Sequence, residues 1–279
     1  MSGWAHRAVR SAFALGLAAC GIATEGPGGD APRKPKADAF GGGERVRDVV
    51  KPATWVEPGN ADSEACASIP AEREVAVTGV TVMAVDRYDE TGEGAFRNVY
   101  VQDTLLAPEP YSGVTVYSPG YSPPDLRVVA GDVVDLAGSF EEFAGPPGSS
   151  PFKYCRTLPE MKGTMALRFE GVVLEPVVIE PKVLGAYDTA RPYFGMLVTL
   201  KDVVLACDPY EKGGRFSIGF SVGEDLPCQD LPSISNELFD LKGAAPSLAK
   251  GQTLASVTGI VTFFYDANIA PRSAADVVP

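Results

Sequence analysis

Val75-Ala76-Val77-Thr78-Gly79-Val80-Thr81-Val82-Met83-Ala84-Val85 decides the fold class of this chain. The run is rich in β-branched residues and alternates along much of its length, the period of two that a half-buried strand requires. Asn98-Val99-Tyr100-Val101-Gln102-Asp103 and Gly113-Val114-Thr115-Val116-Tyr117 alternate in the same way, and 133–140 and 166–173 complete a set of five. Turn residues separate them at 89–94, Ser118-Pro119-Gly120 and Gly145-Pro146-Pro147-Gly148. The second half repeats the theme, with strands expected at 196–205 and 216–222 and one or two more within 251–265. Ala130-Gly131-Asp132-Val133-Val134 and Lys250-Gly251-Gln252-Thr253-Leu254 enter a strand alike, and a glycine follows in each, Gly138 and Gly259. This reads as a duplication into tandem all-β domains, since a period near 100 residues is too long for a solenoid. Nowhere does the sequence sustain an amphipathic helix of ten residues.

The N-terminal end carries a different signal. Arg7 and Arg10 precede an apolar stretch that ends in Leu17-Ala18-Ala19-Cys20, the order of a secretory signal with a small-residue cleavage site. The ending resembles a bacterial lipobox, which implies cleavage after residue 19 and acylation of Cys20. The apolar run at 11–19 has nine residues against the roughly 20 needed to span a bilayer. Gly21, where an aspartate would imply inner-membrane retention in such lipoproteins, leans the expectation toward the outer membrane. Residues 20–60, with Gly26-Pro27-Gly28-Gly29 and Gly41-Gly42-Gly43, have the composition of a flexible tether, although 49–56 turns more apolar and could dock through Trp55. The expected domains are 1–19 signal, 20–60 tether, 61–177 first barrel and 178–279 second barrel.

Charge and composition exclude much. The chain carries 24 basic and 36 acidic side chains, and residues 1–19 hold two arginines and no acid, so 22 against 36 leaves a mature charge near −14. Nucleic-acid backbones attract basic surfaces, so this balance argues against nucleic acid as a partner, short of a local basic face. The only histidine is His6, inside the signal. A mature chain without imidazole has no Ser-His-Asp triad, no Cys-His pair and no histidine metal ligand. Four cysteines remain beside Cys20: Cys66, Cys155, Cys207 and Cys228. An even number in an oxidising compartment points to two disulfides. Three pairings exist, and the domain division favours Cys66–Cys155 and Cys207–Cys228.

The spacing of Val77-Thr78-Gly79-Val80, Val99-Tyr100-Val101-Gln102-Asp103, Gly113-Val114-Thr115-Val116-Tyr117 and Ala130-Gly131-Asp132-Val133-Val134-Asp135-Leu136-Ala137-Gly138 is similar to the small OB-fold modules beside secreted bacterial nucleases and in bacterial lipoproteins. The match covers 73–175 well and 178–279 loosely. It implies two tandem OB-like five-stranded barrels behind a lipoprotein tether, and it carries no activity with it.

No catalytic set assembles from the motifs. Gly219-Phe220-Ser221-Val222-Gly223 has the form of a nucleophile elbow, but no helix start and no histidine follow it. Ser247-Leu248-Ala249-Lys250 has the S-x-x-K form in what reads as a turn into a strand. Glu141-Glu142 point to opposite faces of a strand and read as solvated edge charges. The acidic loop Asp86-Arg87-Tyr88-Asp89-Glu90 lacks calcium-loop spacing and reads as a solvated turn. No metal and no cofactor is therefore expected.

The expected function is a lipid-anchored, non-catalytic binding or scaffold protein of the bacterial envelope, recognising a protein, glycan or oligonucleotide. The alternative is a carboxylate-based hydrolase or accessory subunit acting on envelope polymers. OB barrels bind on the outer face of strands 2 and 3. With Val99, Val101, Val114 and Val116 inward, Asn98, Tyr100, Gln102, Thr115 and Tyr117 face out as the candidate ligand platform, with Tyr111 and Tyr121 in adjoining loops. The competing expectation is that these tyrosines cover a contact between the two barrels.

Overall fold

The alternating run at 75–85 becomes the longest strand of a closed barrel. In the computed structural model the described residues are 43–51, 69–92, 94, 97–104, 108–145, 156–173, 175–243 and 247–279. The first half forms α1 (Val46–Val50), β1 (Arg73–Val85), β2 (Val99–Asp103), β3 (Gly113–Val116), β4 (Gly120–Ser122), β5 (Val133–Phe143) and β6 (Leu158–Phe169). β1 pairs antiparallel with β2 on one side and with β5 on the other. β2 pairs with β3, β3 runs parallel to β6, and β6 returns antiparallel to β5, which closes a ring of five. β4 extends the edge of β6 beyond β3.

One long strand can serve two neighbours because its register shifts twice, between Val77 and Val80 against β5 and between Val82 and Ala84 against β2. Such irregularities bend a strand and raise its twist, which closure needs. At the first of them, the Gly79 N–H donates to the Asp135 carboxylate at 2.9 Å, and Arg168 pairs with the same oxygen at 3.2 Å. Val77, Val80, Val99, Val101, Val114, Val116, Val134, Leu136, Met161 and Met165 fill the interior, all fully buried.

α1 belongs to this barrel. Val46, Val49 and Val50 share one face by helical spacing and are buried in the barrel's core. The Asp103 carboxylate accepts the Val46 and Arg47 N–H groups at 2.7 and 3.1 Å, which satisfies donors that a helix start leaves open. Residues 43–51 thus interrupt the stretch read as a tether, because glycine- and proline-rich surroundings mask one short apolar turn. Trp55 and the rest of 1–42 and 52–68 lie outside the described residues.

The second half forms β7 (Val177–Ile179), α2 (Tyr187–Ala190), β8 (Leu197–Val204), β9 (Tyr210–Lys212), β10 (Arg215–Gly219), β11 (Ser233–Ser235), β12 (Thr253–Phe264), β13 (Asp266–Ala270) and β14 (Val277–Val278). Its sheet runs β7-β8-β12-β13-β11-β10-β9, with β14 on β12. A bridge between Leu205 and Phe220 joins the end of β8 to that of β10. The sequence β8, β12, β13, β11, β10 follows the same order as β1, β5, β6, β3, β2, and the parallel pair falls at the same place, β11–β13 against β3–β6.

The two glycines noted in the sequence occupy matching positions. A Cβ on Gly138 would lie 1.9 Å from the Lys162 carbonyl oxygen, and one on Gly259 would lie 2.5 Å from the Ala270 carbonyl oxygen. Each sits on the fourth strand of its set where the fifth crosses closest, a spacing that no side chain fits. The repeat in the sequence therefore marks a repeated strand crossing.

Cys207 and Cys228 form a disulfide between the end of β8 and the turn before β11, 21 residues apart. Closing a loop of that length contributes about 3 kcal/mol in the chain-entropy picture. Cys66 and Cys155 lie outside the described residues. The fold is mostly β, a closed five-strand barrel and a second sheet. Both lie within a single compact unit, Pro32–Pro279.

Candidate functional site

The inward and outward assignments on β2 and β3 hold, but the outward face is not open. Tyr100 is 1% exposed, packed with Met83, Ala84, Leu197, Leu238, Ile260 and Ala270. Its hydroxyl donates to Glu237 Oε1 at 2.7 Å. Gln102 is fully buried and accepts the Leu197 N–H at 3.1 Å, and Thr115 is buried beside them. Where β3 meets Gly195, a Cβ on Gly113 would fall 2.5 Å from the Gly195 carbonyl carbon, so the backbones touch. The platform expected from the sequence is thus corrected at Tyr100, Gln102 and Thr115: the second sheet covers them, as the competing expectation has it. Asn98 is half-buried at the mouth of the β1–β2 connection. Tyr117 stays exposed, and Lys51 lies 4.2 Å over the Tyr111 ring.

Two charged networks help to tie the contact. In the first, Glu237 takes the Tyr100 hydroxyl and, at 2.8 Å, the Thr262 hydroxyl, while Arg215 lies 3.6 Å away. The Arg215 Nε donates to Glu90 at 2.9 Å. Burial would lower the Arg215 pKa, but Glu237 and Glu90 together hold it above its ordinary value. Burial and then Glu237 push the Tyr100 hydroxyl well up. Asp86, at the edge of this group, is pushed by burial up to about 7 against the Tyr88 N–H bond that favours its charge, with Glu90 and Glu237 adding to the rise. The acidic loop is therefore not a solvated turn, since Asp86 and the Glu90 carboxylate are buried. No metal-holding group of three or more donors occurs among the described residues.

The second tie corrects the reading of Glu141-Glu142. Glu142 and Arg191 form an ion pair at 2.8 Å with both side chains at most 1% exposed. Thr157 donates its hydroxyl to the other Glu142 oxygen at 2.6 Å, and the Tyr187 hydroxyl donates to the Thr157 carbonyl at 2.8 Å. Arg191 donates to the Tyr187 hydroxyl at 3.2 Å. Glu141, on the opposite face, pairs with Lys162 of the neighbouring strand. Glu160 next to it is pushed by burial, and then by Glu141, up to about 7 against the pull of Lys162.

These acids set a pH dependence. Asp86 and Glu160 hold their protons in the fold up to about pH 7 but ionise near pH 4 in an unfolded chain. The unfolded state binds fewer protons across that window, so stability falls as pH rises from about 4 to 7 and then levels off. Glu109, lowered by hydrogen bonds from Arg45 and Arg47, acts with the opposite sign, but only at lower pH. The expected result is a higher Tm at pH 5 than at pH 8, with a shallower slope in Asp86→Asn and Glu160→Gln. A Tm that climbs between these values would contradict the assignment.

A concave surface that remains open near the contact is a cleft of about 420 Å³ between Arg156, Tyr187, Lys212, Gln229, Phe263, Tyr265 and Asp266. Tyr265 is the turn residue of the β12–β13 hairpin, held at φ 69° and 45% exposed. A bulky residue at positive φ is strained and is a recurring mark of functional positions. Its ring stands edge-on to Phe264 at 4.7 Å. Lys212 and Arg156 both pair with Asp266, at 2.6 and 3.5 Å, and Lys212 also donates to the Gln229 carbonyl at 2.8 Å. Small-ligand pockets in general combine apolar and aromatic surface with a few fixed polar groups. Sequence reading misses this cleft because it expects one or two strands within 251–265 and does not locate the hairpin turn at Tyr265. The signal available was the long run Thr262-Phe263-Phe264-Tyr265-Asp266, too apolar to face water throughout.

Ser221 lies two residues past the end of β10, its hydroxyl accepting the Gly223 N–H at 3.2 Å, and no helix starts there. Ser247 and Lys250 lie in the turn before β12. Cys20 lies outside the described residues. Comparison of the chain with protein-family models, curated proteins and solved structures gives no match.

Proposed function

We propose that this chain is a lipid-anchored, non-catalytic binding protein of the bacterial envelope, built on two OB-like barrels, whose ligand is a glycan. The observation that carries the reading is the cleft at Tyr265, where a strained hairpin presents an aromatic ring beside Arg156, Lys212 and Gln229. Sugars are bound by such a combination of a flat apolar face and fixed hydrogen-bonding groups. The closed Greek-key ring of the first half supports the OB assignment, and the repeated strand order in the second half supports a second barrel of the same kind. Leu17-Ala18-Ala19-Cys20 supports the anchor. In this reading the net negative charge keeps nucleic acid from being the general partner.

Two measurements test it. In bacteria fed a palmitate analogue, the wild-type chain takes up label and Cys20→Ser takes up none; an unlabelled wild type refutes the anchor. On immobilised envelope polysaccharides, the wild type is retained and Tyr265→Ala binds about tenfold more weakly, the loss of one ring contact. Retention of neither protein, or of both alike, refutes a glycan site in this cleft.

A further inference from the structure

We propose that the cavity between Arg87, Arg97 and Arg127 on the first barrel binds a doubly charged phosphate monoester. The cavity holds about 410 Å³ and is separate from the Tyr265 cleft, with Ser118, Tyr121 and Asp86 among its lining. In a chain with a net charge of −12, the lining of this one cavity gathers three arginines. Many arginines elsewhere pair with carboxylates: Arg156 with Asp266, Arg168 with Asp135, Arg191 with Glu142, Arg215 with Glu90 and Arg272 with Asp276. Arg87 and Arg127 pair with no carboxylate among the described residues; each donates instead to a backbone carbonyl, Val128 at 3.1 Å and Leu126 at 2.9 Å. Those bonds steady the guanidinium groups and leave donors over. Both act on Tyr121, partly offsetting the upward push that burial gives its hydroxyl, so the two charges and the phenol lie near one another.

The third arginine is held by its backbone. Arg97 has φ 106°, and the strand mouth around it is clamped by Asp86 N–H to the Asn98 carbonyl at 2.8 Å and Arg97 N–H to the Asp86 carbonyl at 3.2 Å. Ser118, also in the lining, has positive φ, 41°. Two non-glycine residues in that region mark a lining whose backbone shape is enforced. Among the described residues Asp86 is the one acid in the lining, and burial, opposed by the Tyr88 N–H, pushes its pKa up to about 7. Arg87 and Arg127, the two arginines that pair with no carboxylate among the described residues, suit a dianion better than a single carboxylate. Forked guanidinium donors match the several oxygens of a phosphate, and the Tyr121 hydroxyl and Ser118 add neutral hydrogen-bond partners.

Phosphate monoesters reach an envelope protein either as soluble sugar phosphates or as lipid headgroups. The test titrates the purified full chain calorimetrically with glucose 6-phosphate, with glucose, and with water-soluble dihexanoyl phosphatidic acid. The expected result is binding of at least one phosphate probe, no binding of glucose at this site, and loss of affinity as salt rises. Arg87→Gln combined with Arg127→Gln should weaken that binding at least tenfold while the Tm stays unchanged, since both side chains are exposed. Arg87→Lys with Arg127→Lys, which keeps the charge and removes the fork, should fall between. Preference for glucose 6-phosphate supports a soluble ligand, and preference for the phosphatidic acid supports a headgroup. Binding of neither phosphate, or binding that the glutamine variant retains in full, overturns the proposal.

Discussion

Arg191→Met should lower the stability of the chain by about 3–5 kcal/mol, the penalty of leaving one charge of a buried pair without its partner. The size follows from geometry: Glu142 and Arg191 are both sealed from water, and Thr157 and Tyr187 complete the network around them. Glu142 then keeps one hydroxyl partner and no counter-charge. The double change Glu142→Leu with Arg191→Met should recover most of the loss, because two apolar side chains there incur no desolvation of charge. Urea denaturation of the three variants against wild type measures this directly. A single variant within about 0.5 kcal/mol of wild type would show that the pair is open to solvent, which contradicts its burial.

The second large effect is expected at Tyr100. Tyr100→Ala removes a fully buried ring from the contact between the barrel and the second sheet and strips Glu237 of a donor. Losses of about 3–5 kcal/mol accompany buried aromatic truncations. Tyr100→Phe keeps the ring and loses only the hydrogen bond to a charged acceptor, at about 1.5–3 kcal/mol. The ratio of the two losses, read from the same denaturation series, separates packing from hydrogen bonding. Equal losses would mean that the ring itself contributes nothing, contrary to its packing against Leu197, Leu238 and Ile260.

Tyr100 also shows why part of the site was legible in the sequence and part was not. Alternation assigns Val99 and Val101 to the interior whatever lies outside, because the strand's own pleat sets the period. It places Tyr100 outward with equal security. It carries no information on what meets that outer face, since a ligand platform and a packed contact both favour a large ring with a polar tip. The covering residues, Leu197, Leu238 and Ile260, lie some hundred or more positions away, in two strands and a bend that look ordinary by themselves.

The same distance hides the Glu142–Arg191 pair, 49 residues apart in the chain, so adjacent glutamates on a strand end look solvated. The strand from Leu158 was recognised only from 166 onward, because Pro159, Lys162 and Gly163 break its apolar rhythm. Gly163 is there for a packing reason: a Cβ on it would sit 2.2 Å from the Ala137 carbonyl oxygen. By contrast Cys207 and Cys228 were paired correctly, since both fall within one repeat and bracket a single hairpin. The arginines of the first-barrel cavity come from two connections, Arg87 and Arg97 from that between β1 and β2 and Arg127 from that between β4 and β5, and the fold brings the two connections together.

The central claim is that the outer face of β2 and β3 serves to join the barrel to the second sheet as one unit, which leaves recognition to the open clefts. Differential scanning calorimetry of the mature chain tests this most directly. The account predicts one transition whose calorimetric and van't Hoff enthalpies agree, and Tyr100→Phe should move that whole transition to lower temperature. Two resolved transitions, with Tyr100→Phe shifting neither or only the first, would contradict it.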